Sequence, residues 1–389
     1  MRFHDDPEEA TWRSAVRAFL AENLSAGLLA ELKCTNGRHG GPEELTFLRM
    51  VAEQGWYGLN WPSEFGGLEK RATEQLILIE EFDYAGAPPL PTTVTSIGPT
   101  LIIYGSPASK RELLPRMVSG ECTFALAYSE PDAGTDLASL RTKAVRDGEE
   151  WVISGEKVWC SYAHFCTHFW LAVRTGTPES RHRGISLFIV PRDLDGIHVS
   201  PLWTWGDVRT NQVVFDSVRV SASNLVGEVN GGWECIRAAL SFERVSAGTS
   251  GRLRRLLDDV RDYSERTYDE DELLANSATF RLQYSEFDTE LEIAHLMGLR
   301  TAQAIDDGLV PQVEASMQKI LVTELQTEIS AWAMAASGLS GQLDKADDAA
   351  PLNGSAEWMF REAPYLRFGG GTNEIQRNIV AQQGLGLPR

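Results

Sequence analysis

Trp151-Val152-Ile153-Ser154-Gly155-Glu156-Lys157-Val158-Trp159-Cys160-Ser161 lies in the stretch, from about Cys122 to Val229, over which the period of the chain changes from a helical one to two. Two short β-rich runs, Trp151-Val152-Ile153 and Lys157-Val158-Trp159, flank a Ser154-Gly155 turn signal. Working outward, Phe169-Trp170-Leu171-Ala172-Val173, Ile185 to Val190, Gln212 to Phe215 and Ser217 to Val220 continue the pattern, with further turns at Asp147-Gly148 and Asp195-Gly196. No helical period separates these runs, so residues 122–230 are expected to form an antiparallel barrel or sandwich.

On both sides the helical period holds. Trp12, Val16, Phe19 and Leu20 share one helical face, as do Leu45, Leu48 and Val51, and Gly55 stands where that second helix stops. A third helix is expected over Thr73 to Tyr84, ending before Ala87-Pro88-Pro89, and a fourth over Ser109 to Ser119, with Pro115 a candidate break. Beyond Gly231 the reading is one long helix from Trp233 to about Arg266, then Leu273 to Asp307 and Val313 to Ser337. An exposed loop over Gly338 to Ser355 follows, and a last helix begins near Asn373. Helices, strands and helices again predict an α+β chain: a helical domain (1–121), a β domain (122–230) and a second helical domain (231–389).

The 36 Lys and Arg against 55 Asp and Glu leave a net charge of −19 over 389 residues, which argues against a nucleic-acid binder. The five cysteines are scattered and form no CxxC pair, so neither a zinc cluster nor a disulfide framework is expected. His164 and His168, four apart in a strand-rich segment, do not read as two ligands of one metal. No apolar leader or membrane-length apolar run is present, and the expectation is a soluble, cytoplasmic protein.

Three motifs carry candidate chemistry. Ser129-Glu130-Pro131-Asp132-Ala133-Gly134-Thr135-Asp136 follows a predicted strand, and its small hydroxyl residues and glycine let a flat polar ligand approach the backbone; it also reads as a plain surface turn. Trp159 and Ser161, two apart on a predicted strand, offer an aromatic platform beside a hydroxyl, or simply an inward tryptophan packing the β domain. Gly369-Gly370-Gly371-Thr372-Asn373-Glu374-Ile375-Gln376-Arg377 opens a helix with free N–H groups suited to an anion, and lacks the lysine of a nucleotide-binding P-loop; Thr372 as a simple N-cap is the plainer reading. The basic knot Arg181-His182-Arg183 reads either as a solvated hairpin loop or as a contact for the phosphates of a ligand.

Taken in order, SEPDAGTD, KVWCS, VVFDSVRV, SFER and GGGTNEIQR resemble the acyl-CoA dehydrogenase family, and the resemblance extends to Gly58-Leu59-Asn60-Trp61-Pro62, Phe65-Gly66-Gly67 and the terminal LGLPR. The nearest flavour is the actinobacterial-type branch acting on bulky or branched acyl-CoA esters. The resemblance implies an FAD enzyme that converts an acyl-CoA thioester to a trans-2-enoyl-CoA, a carboxylate taking the α-proton while the β-hydride passes to flavin N5. It implies an N-terminal helical domain, a middle antiparallel β-barrel and a C-terminal helical bundle, assembled as a homotetramer or an α2β2 heterotetramer. Electron-transfer flavoprotein is the implied acceptor.

Residue by residue, the resemblance places Leu126, Tyr128 and Ser129 at the flavin ring, and Gly134 and Thr135 at the pyrophosphate and the acyl-CoA. It places Trp159 beside the isoalloxazine, Ser161 at its N5 edge, Thr372 and Glu374 on the final FAD-contacting loop, and Arg281 toward a partner subunit's pyrophosphate. Two departures stand out. Ala335 to Gly341 lacks the Gln-rich, double-glycine pattern of many members, and the commonest place for the catalytic glutamate holds Gly370, a substrate-side residue with no proton-accepting group. The family's second address for the base matches Glu243, with Arg244 beside it as a CoA-side or structural partner. The alternatives are a non-catalytic subunit of a heterotetramer, a related flavin oxidase, or a carrier-protein acyl dehydrogenase; for Glu243 itself, the plain alternative is a surface carboxylate paired with Arg244 or Arg237.

Overall fold

The computed structural model describes residues 3–35, 39–247, 249–269 and 271–388, with backbone alone for residues 34–35 and 243–247. Six helices come first: α1 Pro7–Asn23, α2 Ala26–Thr35, α3 Pro42–Glu53, α4 Ala72–Ala85, α5 Gly98–Tyr104 and α6 Pro107–Val118. Asp6 caps α1 by accepting from the N–H groups of Glu8 and Glu9, and Glu9 reaches back to the Asp6 N–H, a reciprocal capping box. The face read from the sequence is the buried one, with Val16 and Leu20 packed against Phe47, Val51 and Trp56. Pro115 sits inside α6 without ending it.

Strands β1 Phe124–Ala127, β2 Lys143–Asp147, β3 Glu150–Lys157, β4 His168–Arg174, β5 Ile185–Pro191, β6 Ile197–Trp203, β7 Arg209–Ser221 and β8 Leu225–Val226 form one sheet in the order β6-β7-β3-β2-β4-β5-β8, with β1 added beside β4. The pairings are antiparallel except β1 and β2 against β4. They run as an open path from β6 to β8 among the described residues. The opening stretch differs from its reading in two ways. Ser154-Gly155 is an irregularity inside β3, where the register against β7 shifts between Ile153 and Gly155. A Cβ at Gly155 would lie 2.6 Å from the Thr142 Cα, so the neighbouring strand, not a turn, requires glycine there. Strand β3 also ends at Lys157, which leaves Trp159 and Ser161 beyond it.

The C-terminal part holds α7 Gly232–Ala247, α8 Gly251–Ser264, a two-stranded ribbon of β9 Tyr268–Asp269 and β10 Glu272–Leu273, α9 Ala278–Asp306, α10 Gln312–Ala336, α11 Ser355–Phe368 and α12 Asn373–Ile379. The single long helix expected over Trp233 to Arg266 is two, because Thr249 donates its hydroxyl to Asp83 of α4 and Gly251 packs on the Glu80 carbonyl, where a Cβ would lie 2.4 Å from the oxygen. The loop over Gly338 to Ser355 is folded into short 3₁₀ turns that bury Gly341 and Leu352. Helix α11, absent from the sequence reading, tolerates Pro364 and buries Ala356, Met359 and Ala363. No helix among the described residues is long and apolar enough to cross a membrane.

Candidate active site

The loop after β1 is fixed from below by a buried lysine. Lys157 Nζ, with no exposed surface, donates to the Tyr128 carbonyl (2.9 Å) and to Glu130 Oε1 (2.8 Å). The backbone N–H groups of Arg141 (2.6 Å) and Thr142 (2.8 Å) complete the Glu130 carboxylate. Burial acts to raise that carboxyl's pKa, but Lys157 and the backbone donors outweigh it and hold it below the ordinary range. Glu130 and Ala133 exchange backbone hydrogen bonds of 3.0 Å, and the Val158 N–H donates to the Ser129 carbonyl at 2.9 Å. Gly134, Thr135 and Asp136 are thereby presented at an exposed crest. A Cβ at Gly134 would meet nothing within 4 Å, so the space beside it is open to a ligand. Leu126 is half-buried on β1 beside Trp170, and Tyr128 is buried.

Past the end of β3, Trp159 takes a left-handed φ of 62°. The bonds that hold it there are on either side: Val158 N–H to Ser129, and Cys160 N–H to the Asn211 carbonyl (2.9 Å), with Asn211 Nδ2 returning to the Cys160 carbonyl at 2.9 Å. The indole is left 53% exposed, an aromatic surface turned outward rather than packed into the sheet. Two residues on, the Ser161 hydroxyl stands 3.5 Å from the Tyr365 hydroxyl of α11. The β domain and the helix leading into the glycine-rich loop meet at that contact.

The glycine-rich loop is held by a second buried lysine. Lys319 of α10 donates to the carbonyls of Arg367 (3.0 Å) and Gly371 (3.1 Å) and to Asn373 Oδ1 (2.7 Å). Gln376 Nε2 donates to the carbonyls of Gly370 (3.0 Å) and Gly371 (3.1 Å), and Ser316 donates to Gln376 Oε1 at 2.8 Å. Gly370 and Gly371 take φ of 65° and 92°, the second outside what a side chain accepts readily. Thr372 caps α12 by accepting from the Ile375 N–H at 3.3 Å, and Glu374 is exposed in the first turn.

Helix α7 is tied to the N-terminal part by the Ser96 hydroxyl donating to the Ala239 carbonyl at 2.8 Å. Glu243 and Arg244 are on this helix, and their side chains lie outside the described residues. Arg237, about two turns earlier, pairs with Glu234 at 3.2 Å. Arg281 is exposed in the first turn of α9. Arg181 pairs with Asp136 at 2.7 Å, so the basic knot abuts the crest of the first loop. Among the described residues no group of three or more His, Cys, Asp or Glu side chains could hold a metal ion.

Lys319, Gln376 and Tyr365 were not singled out by the sequence reading, and Glu130 and Lys157 were quoted within motifs without a role. The available signal for Lys319 was a lysine directly before the apolar run Ile320-Leu321-Val322 of a helix.

Comparison with known proteins agrees with this arrangement over the whole chain. The N-terminal, middle and C-terminal domain models of acyl-CoA dehydrogenase match residues 6–121, 125–218 and 230–385. Acyl-CoA dehydrogenase FadE26 of Mycobacterium tuberculosis is 36% identical over 100% of this chain and 99% of its own length. FadE29 of the same organism is 33% identical over 98% of each. Among solved structures, a chain of the ChsE4-ChsE5 complex from Mycobacterium tuberculosis superposes with a TM-score of 0.93 at 35% identity, covering 100% of both chains. The Tcur3481-Tcur3483 steroid ACAD gives the same TM-score at 34% identity, again over 100% of both chains. With its three-part order of helices, sheet and helices matched end to end, this chain belongs to the acyl-CoA dehydrogenase family.

Proposed function

We propose that this chain carries out the FAD-dependent α,β-dehydrogenation of an acyl-CoA thioester to a trans-2-enoyl-CoA, with Glu243 as the base and its parts meeting near residues 121/122 and 230/231. The observation that carries the reading is the Gly369–Gly371 loop. Its backbone is fixed by Lys319 and Gln376, yet Gly370 has no side chain to take a proton. The base then has to come from another element, and α7 carries Glu243 near its C-terminal end. Near the C-terminal end of a helix the dipole disfavours a charged carboxylate, which suits a general base.

The outward Trp159 indole, the open space at Gly134 and the left-handed Gly370-Gly371 turn fit a flat ring joined to a pyrophosphate. In this reading Leu126, Tyr128, Ser129, Trp159 and Ser161 hold the ring, and Gly134, Thr135, Thr372 and Glu374 the remainder. Arg281 reaches toward a second subunit's cofactor, and Arg244 and Gly370 flank the acyl-CoA. FAD, when bound, supplies the two-electron acceptor for the substrate's β-hydride. Glu243 removes the α-proton and holds it. Electron-transfer flavoprotein is the proposed acceptor from the reduced enzyme.

The similarity to the steroid ACAD supports a bulky, polycyclic acyl chain over a straight one. It also supports an α2β2 assembly, since both of these structural relatives are named as two-chain proteins. The test is anaerobic flavin bleaching by a panel of acyl-CoA esters, parent against Glu243→Gln. A fall in bleaching rate of about 10²–10⁴ in the variant with FAD retained establishes the base; equal rates remove the assignment. A parent that neither retains FAD nor bleaches alone, but does both beside a second family chain, establishes the heteromeric reading.

A further inference from the structure

Helix α11 meets the β domain along one face. Trp358, Arg361 and Tyr365 are spaced i, i+3 and i+7, which lines them up on one side of the helix. The first two grip the turn between β6 and β7. The Trp358 indole N–H donates to the Gly206 carbonyl at 3.1 Å, and Arg361 donates to the Trp205 carbonyl (2.8 Å) and pairs with Asp207 (2.7 Å). A Cβ at Gly206 would lie 2.9 Å from the Glu362 Cα, so helix and turn are in close contact. Tyr365, one turn further on, meets not the turn but Ser161, hydroxyl to hydroxyl at 3.5 Å. Ser161 in turn lies between two residues with left-handed backbones, Trp159 (φ 62°) and Tyr162 (φ 67°). Such conformations are costly for residues other than glycine and persist where the surroundings impose them. Here the Asn211 bonds to Cys160 hold one side, and on the other the Tyr162 ring packs against Phe165 (5.6 Å between centres) and His39 (5.2 Å). Two segments far apart in the chain are thus fixed so that their hydroxyls meet two residues from the exposed Trp159 indole.

We propose that Tyr365 is a positioning residue for Ser161: it donates its hydroxyl proton to Ser161 Oγ and so directs the Ser161 hydroxyl proton at the flavin ring. This rests on the function proposed above, in which Ser161 lies at that ring. Either hydroxyl can donate or accept, but the phenol is the stronger acid and the better donor. With a lone pair taken by Tyr365, Ser161 becomes a stronger donor itself, because chained hydrogen bonds polarise one another. A donor aimed at an electron-accepting ring favours the reduced, more electron-rich form. At 3.5 Å the pair is at the long limit for an O–H···O bond, so the effect is modest.

The test is the reduction potential of the bound FAD without substrate, read against reference dyes in the parent, Tyr365→Phe, Ser161→Ala and the double variant. The holoprotein is used alone or beside a second family chain, whichever retains FAD. Tyr365→Phe should lower the equilibrium constant for reduction about threefold to tenfold, which is about 15–30 mV for a two-electron couple. On the Ser161→Ala background the same change should shift nothing further, because the residue it acts through is gone. On Ser161→Thr, which keeps a hydroxyl, the shift should return. An unchanged potential in Tyr365→Phe, or shifts that add in the double variant, overturns the proposal. A parent that holds no FAD in either form fails the function reading and this inference with it, whereas FAD held with additive shifts fails this inference alone.

Discussion

Two loops, Ser129–Asp136 and Gly369–Asn373, are each held from beneath by one fully buried lysine, but the two clamps are built differently. Lys157 reaches a carboxylate and a carbonyl, and its loop is also tied to the end of β3 by the Val158 N–H at the Ser129 carbonyl and closed on itself by the Glu130–Ala133 backbone pair. Lys319 reaches two carbonyls and an amide oxygen, and its loop depends on side chains, chiefly Lys319 and Gln376. The first loop is therefore held by backbone as well as side-chain bonds, and the second chiefly by the side chains of α10 and α12. That suits the assignments made above, with the first loop framing the ring site and the second lying where the family most often places its base.

The largest effect should come from breaking the first clamp. Lys157→Met leaves the Glu130 carboxylate buried without its cation, which should cost about 3–5 kcal/mol of unfolding free energy in urea titrations. Glu130→Gln on that background should return a large part of the loss, because a neutral amide no longer needs the cation. Equal stability of the single and double variants would mean that the pair is not the clamp. Lys319→Met should cost less, about 2–3 kcal/mol, the worth of its charge-assisted bonds. Its distinctive signature should be FAD retention that falls more than stability does, since only the second loop is released. A Lys319→Met protein that keeps its flavin while Lys157→Met loses it would reverse the comparison.

The contrast between the clamps also marks what the sequence could tell. Motif order placed both loops and the change of period placed the sheet, because these are local properties of the chain. The Ser154-Gly155 pair was read as a turn since the dipeptide alone has turn chemistry; only Thr142, brought alongside by β2, makes it an irregularity within a strand. Trp159 was assigned to a strand face for the same reason, and its left-handed backbone is imposed by Ser129 and Asn211 from distant positions. Helix α11 escaped because the burial of its Ala356 and Met359, which holds the helix in place around Pro364, is a tertiary fact. The end of α7 was hidden likewise, since the residue that takes up the Thr249 hydroxyl is on α4.

That junction supplies the smallest of the predicted effects and the sharpest control on the first clamp. Asp83, like Glu130, is a carboxyl set into the protein, but no lysine stands on it. It is partly buried between α4 and α8, accepts the Thr249 hydroxyl, and feels Arg252 against Glu80 and Glu362. Loss of solvation dominates, and its pKa is raised to about 6 instead of lowered. A carboxyl raised in the folded state stabilises most below its unfolded pKa of about 3.9, and that contribution is lost as pH climbs through 6. Asp83→Asn keeps an acceptor for Thr249 and removes the titration. Its stability relative to the parent should therefore improve by about 1–2 kcal/mol between pH 4 and pH 7.5, allowing for partial exposure. Thermal unfolding followed across that range checks the sign. A variant whose stability relative to the parent falls toward neutral pH would show that Arg252 already acts on Asp83 as Lys157 acts on Glu130, so that the guanidinium clamps the end of α7 much as the buried ammonium clamps the first loop.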